Sequence, residues 1–322
     1  MDARAEATLN RIEGGLLGLL IGDALGVPYE FHPASQIPPL AQIEFAPPEG
    51  FHRAHHTPPG TWSDDGALAL CLLASLLECS RFDADDLGRR FVAWYERGYL
   101  AVDANVFDVG IQTGQAINAI KRGVPALQAG STEERALGNG SLMRALPLTL
   151  WSDGDDDTLL ADAMAQSRLT HGHLRAQICC ALYCLWARRV LQGHPQPWAD
   201  AVAALRGRWP ESSDERAELE YHIRPDDDIP GKGDGYVVDT LRSARWAVES
   251  TSDYASAVRA AISLGNDTDT TACVAGGVAG LRYGADSIPA RWRSELRGQG
   301  LLAPLRDALR DRILRSIEGE RA

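Results

Sequence analysis

The chain has 322 residues, 45% of them apolar and 24% charged, which excludes wholesale disorder and the collagen and fibrous classes and leaves enough apolar surface for a large core. Length alone suggests about two domains of roughly 100–200 residues each. Acidic side chains number 44 against 32 basic, a net charge of −12 that argues against nucleic acid held by general phosphate attraction, so any polyanionic ligand must be gripped locally.

Near the start, the apolar run at 14–22 is about half of the roughly 20 residues that span a bilayer and is closed by Asp23. Asp2, Glu6 and Glu13 outnumber Arg4 and Arg11 ahead of it, the reverse of a secretory leader. It reads as a buried helix, and no membrane partner is expected. Residues 32–60 are rich in proline and hold His52, His55 and His56; they read as a loop whose histidines could take adventitious metal with no mechanism implied. Helical periodicity then marks 66–79, 87–98, 110–122, 158–169, 174–192, 236–249, 253–264, 270–283 and 303–318, with almost no period-two alternation. Segments 66–77 and 176–186 are apolar on every face, as central helices are. Ser63 before Asp64 and Asp65, and Ser252 with Asp253, read as helix starts. Residues 193–235 read as a second loop-rich excursion, and Asp153, Asp155, Asp156, Asp157, Asp226, Asp227 and Asp228 as solvated loop acids. Six cysteines without a Cys-x-x-Cys pair fit neither a disulfide framework nor a zinc site and suggest a cytoplasmic location. The expected class is an all-α globule with buried helices at its centre.

Two acidic clusters stand at the mouths of apolar helices: Ser63-Asp64-Asp65, and Asp267-Thr268-Asp269-Thr270. Helix capping explains either one alone, since a first-turn carboxylate is worth roughly 0.3–1 kcal/mol against the helix dipole. Together they suggest more. The small residues of 270–280 permit close helix approach, so the two helix starts could converge, and four converging carboxylates need countercharge. Asp64, Asp65, Asp267 and Asp269, with the hydroxyls of Ser63 and Thr270, form an oxygen-only set suited to two Mg²⁺ or Mn²⁺ ions rather than zinc.

Seven segments in order resemble the ADP-ribosylglycohydrolases: GLLGLLIGDALGVPYEF (16–31), GTWSDDGALAL (60–70), FDVGIQTGQAI (107–117), GNGSLMRALPL (138–148), LTHGH (169–173), GYVVDTLRSARWAV (235–248) and LGNDTDTTACVAG (264–276). The resemblance implies one all-α domain over 1–322 in place of two, a binuclear Mg²⁺ or Mn²⁺ site, and cleavage of the bond between the distal ribose of ADP-ribose and its acceptor. The partner it implies is an ADP-ribosylated protein or a small ADP-ribose conjugate. By resemblance, Ser63, Asp64, Asp65, Asp267, Asp269 and Thr270 hold metal, and Glu30 and Asp108 are rival candidates for proton transfer.

Gly138-Asn139-Gly140-Ser141 is a flexible turn leading into a helix, whose amides could face a phosphate. The resemblance adds Gly140, Ser141 and Met143 as cleft residues and His171 near the phosphate or ribose, and Tyr236 suits the acceptor side through its aromatic face. Three departures from the family pattern concern the surroundings of the metal: Ser63 for Thr, Gly66 for Thr after the paired aspartates, and Asn266 for Gly. Asp108 tilts the linkage towards arginine. The alternatives are a non-hydrolysing, crystallin-like binder of ADP-ribose, against which the full carboxylate set speaks, and a terpenoid-synthase-like enzyme, whose Asp-Asp-x-x-Asp repeat is absent after Asp64.

Overall fold

The apolar run near the N-terminus is the centre of a longer helix than its composition suggests: α1 spans Ala3–Gly26 and ends where Pro28 forces a tighter turn over Val27–Tyr29. By length and hydropathy α1 could cross a membrane, yet its apolar stretch is almost wholly buried inside the protein. The computed structural model describes residues 3–319. After α1 come α2 (Asp64–Cys79), α3 (Ala84–Arg97), α4 (Ile111–Lys121), α5 (Leu146–Trp151), α6 (Asp156–Arg168) and α7 (Leu174–Gln192). The second half holds α8 (Pro197–Arg208), α9 (Asp214–Ala217), α10 (Val237–Glu249), α11 (Tyr254–Ser263), α12 (Thr268–Tyr283), α13 (Ala290–Glu295) and α14 (Gln299–Gly319). Among the described residues, β-structure is confined to isolated bridges.

One all-α globule forms around α1, α2, α7 and α12, whose side chains are buried on nearly every face. The length-based expectation of two domains gives way because one core runs through the helices of both halves. The pair α1 and α12 lies at its centre. A Cβ at Gly18 would stand 2.3 Å from the Gly276 carbonyl oxygen, and one at Gly22 2.1 Å from that of Ala272, so the two backbones touch only because these positions lack side chains. The end of α1 therefore meets the start of α12, and Thr268 Oγ1 donates to the Gly26 carbonyl at 2.8 Å.

Away from the cleft the structure departs from the sequence reading at several helices. Within 193–235, α8 buries Trp198, Ala201, Val202 and Leu205, an apolar stripe at helical spacing that the surrounding prolines and acids obscure. Asp155, Asp156 and Asp157 are not loop acids: Asp155 caps α6 by accepting from the Thr158 amide, and Asp156 in its first turn pairs with Arg188 and Arg189. The cap of α11 is Asp253 rather than Ser252, its carboxylate accepting from the Ser256 amide at 2.9 Å.

The 32–60 stretch is irregular apart from short 3₁₀ turns. It is nonetheless fixed: Ile43 and Phe45 are buried, Tyr29 Oη donates to the Glu44 carbonyl, and the Glu44 carboxylate accepts from Trp292 Nε1 at 2.6 Å. All six cysteines are free, five of them buried in the helical core.

Candidate active site

The site begins with the two helix starts. Ser63 caps α2, its Oγ accepting from the Asp65 amide at 3.2 Å, so Asp64 and Asp65 fall in the first turn. Behind them lies Asp23 of α1, fully buried, whose carboxylate accepts from the amides of Ser63 and Gly66 at 2.8–3.0 Å. Gly66 makes that possible. A side chain there would start 2.9 Å from Asp23 Oδ2 and 2.8 Å from Leu20.

On α12, Asp267 stands at the N-cap position but its carboxylate makes no capping bond; Oδ2 instead accepts from Asn139 Nδ2 at 2.7 Å. Capping therefore does not explain this acid. The preceding Asn266 adopts a left-handed backbone (φ 60°), which asparagine tolerates as a stand-in for glycine, and its Nδ2 donates to the Lys232 carbonyl. Asp269 Oδ1 accepts from the Thr270 amide, and Thr270 Oγ1 lies 3.4 Å from Asp65 Oδ1, joining the two clusters across 205 positions of sequence. Asp65 and Asp269 each keep one buried oxygen, Oδ2, with no hydrogen-bond partner. Burial first, then neighbouring carboxylates, pushes Asp64, Asp65 and Asp269 well above the usual carboxylate range. Stranded buried oxygens in an all-oxygen donor set fit a site for hard cations.

A second wall comes from three loops. Glu30 follows the turn that ends α1 and is 4% exposed, so it is no surface glutamate. Burial pushes its carboxyl up to about 8, opposed by a 2.6 Å hydrogen bond between Oε2 and His55 Nε2. Asp108 lies 3.8 Å from the same nitrogen and is not a helix cap, since Gly110 occupies that position for α4. Asp108 itself has a left-handed backbone (φ 55°), an unfavourable conformation for a residue with a Cβ. Donor atoms of Glu30, His55 and Asp108 lie within 4.8 Å of one another, as do those of Glu30, Asp267 and Asp269, so Glu30 stands between the two groups.

Opposite lies the Asn139 turn. It does not run into a helix as the sequence suggests: turns continue through Arg144, and α5 starts at Leu146, where Pro147 suits the first turn. The turn is held instead by side chains. Gln112 Oε1 accepts from the Gly138 amide, and the fully buried Arg144 donates to the Gly140 carbonyl and to Gln166. His171 packs so closely that a Cβ on Gly140 would lie 2.9 Å from its ring. Burial lowers the His171 pKa to about 3, and the imidazole is neutral. Ser141 is buried away from the cleft, bonded to Ser167, while Tyr236 turns its hydroxyl towards Arg175.

These walls enclose a cleft of about 500 Å³ lined by Glu30, Asp64, Asp65, Asp108, Asn139, Gly140, Met143, His171, Asp267 and Thr270 among others. Ser63 and Asp269 support that lining, and neither Ser141 nor Tyr236 is part of it. Sequence reasoning passed over Asp23, Gln112 and Arg144 and discounted His55. All but His55 lie in the quoted motifs, whereas nothing in the spacing of a proline-rich loop marks one histidine of three.

Fold and cleft together define an all-α protein with a carboxylate-rich cleft at the meeting of two helix starts. The ADP-ribosylglycohydrolase family model matches residues 4–321, and the chain belongs to that family. It is 32% identical over 309 residues to ADP-ribosylarginine hydrolase Tri1 of Pseudomonas putida, covering 95% of this chain and 80% of that one. It is 28% identical over 300 residues to the ADP-ribosyl-[dinitrogen reductase] glycohydrolase of Rhodospirillum rubrum, covering 89% and 90%. A solved structure, titled an ADP-ribosylglycohydrolase-related protein complex, superposes with a TM-score of 0.76 at 32% identity, over 96% of this chain and 99% of the other.

Proposed function

We propose that the protein releases ADP-ribose from arginine side chains of modified proteins, with two Mg²⁺ or Mn²⁺ ions. The observation that carries this reading is the meeting of Asp64, Asp65 and Asp267 with Glu30 and Asp108 in one cleft, beside the Asn139 turn and His171. Relatives named as ADP-ribosylarginine hydrolases support the linkage. A wall of carboxylates also suits a cationic guanidinium better than a neutral hydroxyl acceptor.

Asp64, Asp65, Asp267 and Asp269, with Ser63 and Thr270, would hold the cations, which when bound would fix the distal ribose by its hydroxyls and acidify a water. Cleavage builds positive charge at the anomeric carbon and leaves guanidine as a group able to take up a proton. Glu30 would accept a proton from the attacking water and Asp108 would face the guanidinium; exchanging the roles of the two is the competing assignment. Neutral His171 offers a ring nitrogen to the ligand without adding charge. Asn139 keeps Asp267 turned towards the cleft.

The test is a panel of arginine-, serine- and nucleic-acid-linked ADP-ribose, with and without chelator. Release from the arginine linkage alone, abolished by chelator, is expected. Preference for serine linkage would overturn the acceptor assignment, and binding without release would make the protein a non-hydrolysing relative. Glu30→Gln and Asp108→Asn separate the proton-transfer candidates, the true one costing about 10²–10⁴-fold in kcat. If neither variant slows turnover, both assignments fail.

A further inference from the structure

We propose that His55 is a positioning residue that holds Glu30 and Asp108 side by side on their wall of the cleft. The consequence for turnover rests on the hydrolase reading above; the contact itself does not. A single imidazole nitrogen, Nε2, lies 2.6 Å from Glu30 Oε2 and 3.8 Å from Asp108 Oδ1. One proton lies between Nε2 and Oε2, and the imidazole so held stands within ion-pair distance of Asp108, where its protonated form offsets the repulsion between the two acids.

The surroundings are built around this ring. It sits between Phe31 and Phe107, with centroids 5.8 and 5.2 Å away. Phe31 has a left-handed backbone (φ 62°) while its side chain is 67% exposed, an arrangement that gains little from burial. That backbone is held by pairing with the start of α12: the Phe31 amide donates to the Asn266 carbonyl at 2.7 Å, and the Asn266 amide donates to the His32 carbonyl at 2.6 Å. The main chain at Glu30 is thus fixed by α12, whereas its flexible side chain is fixed by His55.

Without the imidazole, Glu30 has Asp267 and Asp269 within reach and Asp108 beside it. His55 ties Oε2 on the Asp108 side and leaves Oε1 as the oxygen available for proton transfer. The loop itself does not need this contact, because Phe51 packs on Tyr29 and His32 and Glu44 anchors the preceding segment. His52 and His56, on the same loop, are exposed to solvent.

The experiment compares the full-length protein with His55→Ala, His55→Gln and His56→Ala, using an arginine-ADP-ribosylated protein with Mg²⁺ and, separately, titration with Mn²⁺. Expected for His55→Ala is a kcat lower by about 10–100-fold with KM within about twofold and Mn²⁺ affinity unchanged. The amide of His55→Gln restores part of the rate, and His56→Ala matches wild type. An unchanged kcat in His55→Ala, or Mn²⁺ affinity falling in step with kcat, overturns the proposal. A far-downfield imidazole N–H resonance, present in wild type and lost in Glu30→Gln, reports the shared proton independently of turnover. If wild type releases no ADP-ribose from arginine, the hydrolase reading fails while the resonance still decides the pairing, and its absence overturns the pairing at any activity.

Discussion

At the scale of single residues, the site trades stability for charge. Asp269 is fully buried, its carboxyl is held well above the usual range, and one of its oxygens has no partner. A raised folded-state pKa means that stability is full below the unfolded value and is lost as pH rises through the folded value. In chelator at pH 8, Asp269→Asn should therefore stabilise the protein by about 0.5–2 kcal/mol, while the rise in Tm on adding Mg²⁺ disappears. A variant less stable than wild type in chelator would show that the carboxylate is already compensated. His171 works in the opposite direction. Its pKa is lowered to about 3, so the unfolded chain takes up a proton below about 6.5 and the folded one does not. Stability should fall as pH drops from 6.5 towards 3, by at most about 1.4 kcal/mol per pH unit. His171→Gln should flatten that limb of the urea midpoint against pH; an identical slope would exclude His171 as its source. The convergence of the two aspartate clusters was legible in the sequence because each cluster carries hydroxyl residues at the start of an apolar helix. His55 was not, because its meaning depends on where an irregular loop folds, and loop geometry leaves no periodic trace.

At the scale of elements, the helices that carry the site were readable from their apolar residues, and most of their bounds differ from the periodicity by only a few positions. Length was the weaker inference. The apolar run at 14–22 gave no sign that α1 extends from Ala3 to Gly26, because Glu6 is exposed and Arg11 interrupts the apolar pattern while donating to the carbonyls of Val190, Leu191 and Leu281. Nor was the helix expected after Ser141 found, since buried side chains of Gln112 and Arg144 shape that turn from distant elements. The contact of α1 with α12 sets the register of the site. Gly22→Ala puts a methyl group 2.1 Å from the Ala272 carbonyl, so the helices must part or slide. A loss of about 1–3 kcal/mol in denaturant unfolding is expected, together with weaker Mn²⁺ binding. Unchanged Mn²⁺ affinity at reduced stability would show that the cluster tolerates helix displacement.

At the scale of the whole molecule, an overall charge of −12 has to be reconciled with the anionic ligand of the proposed function. In that reading the positive charge would come from the proposed cations and from Arg135 in the cleft lining, since many other basic side chains are engaged in ion pairs. Removing divalent cations should lower Tm by several °C at pH 8 and abolish ADP-ribose binding in calorimetry. Binding that persists in chelator would mean the Asn139 turn grips the phosphates unaided. One feature also bears on how the chain is made. The residues that join at Thr268 and Gly26 are 242 positions apart, and α1 leaves the ribosome long before its partner exists. At 5–20 residues per second the wait is about 10–50 s, during which a helix apolar enough to enter a lipid bilayer stays uncovered. The nascent polypeptide is therefore most adhesive while it is being synthesised, and demand for chaperones should fall when α12 emerges and end once α14 has closed over the start of α1.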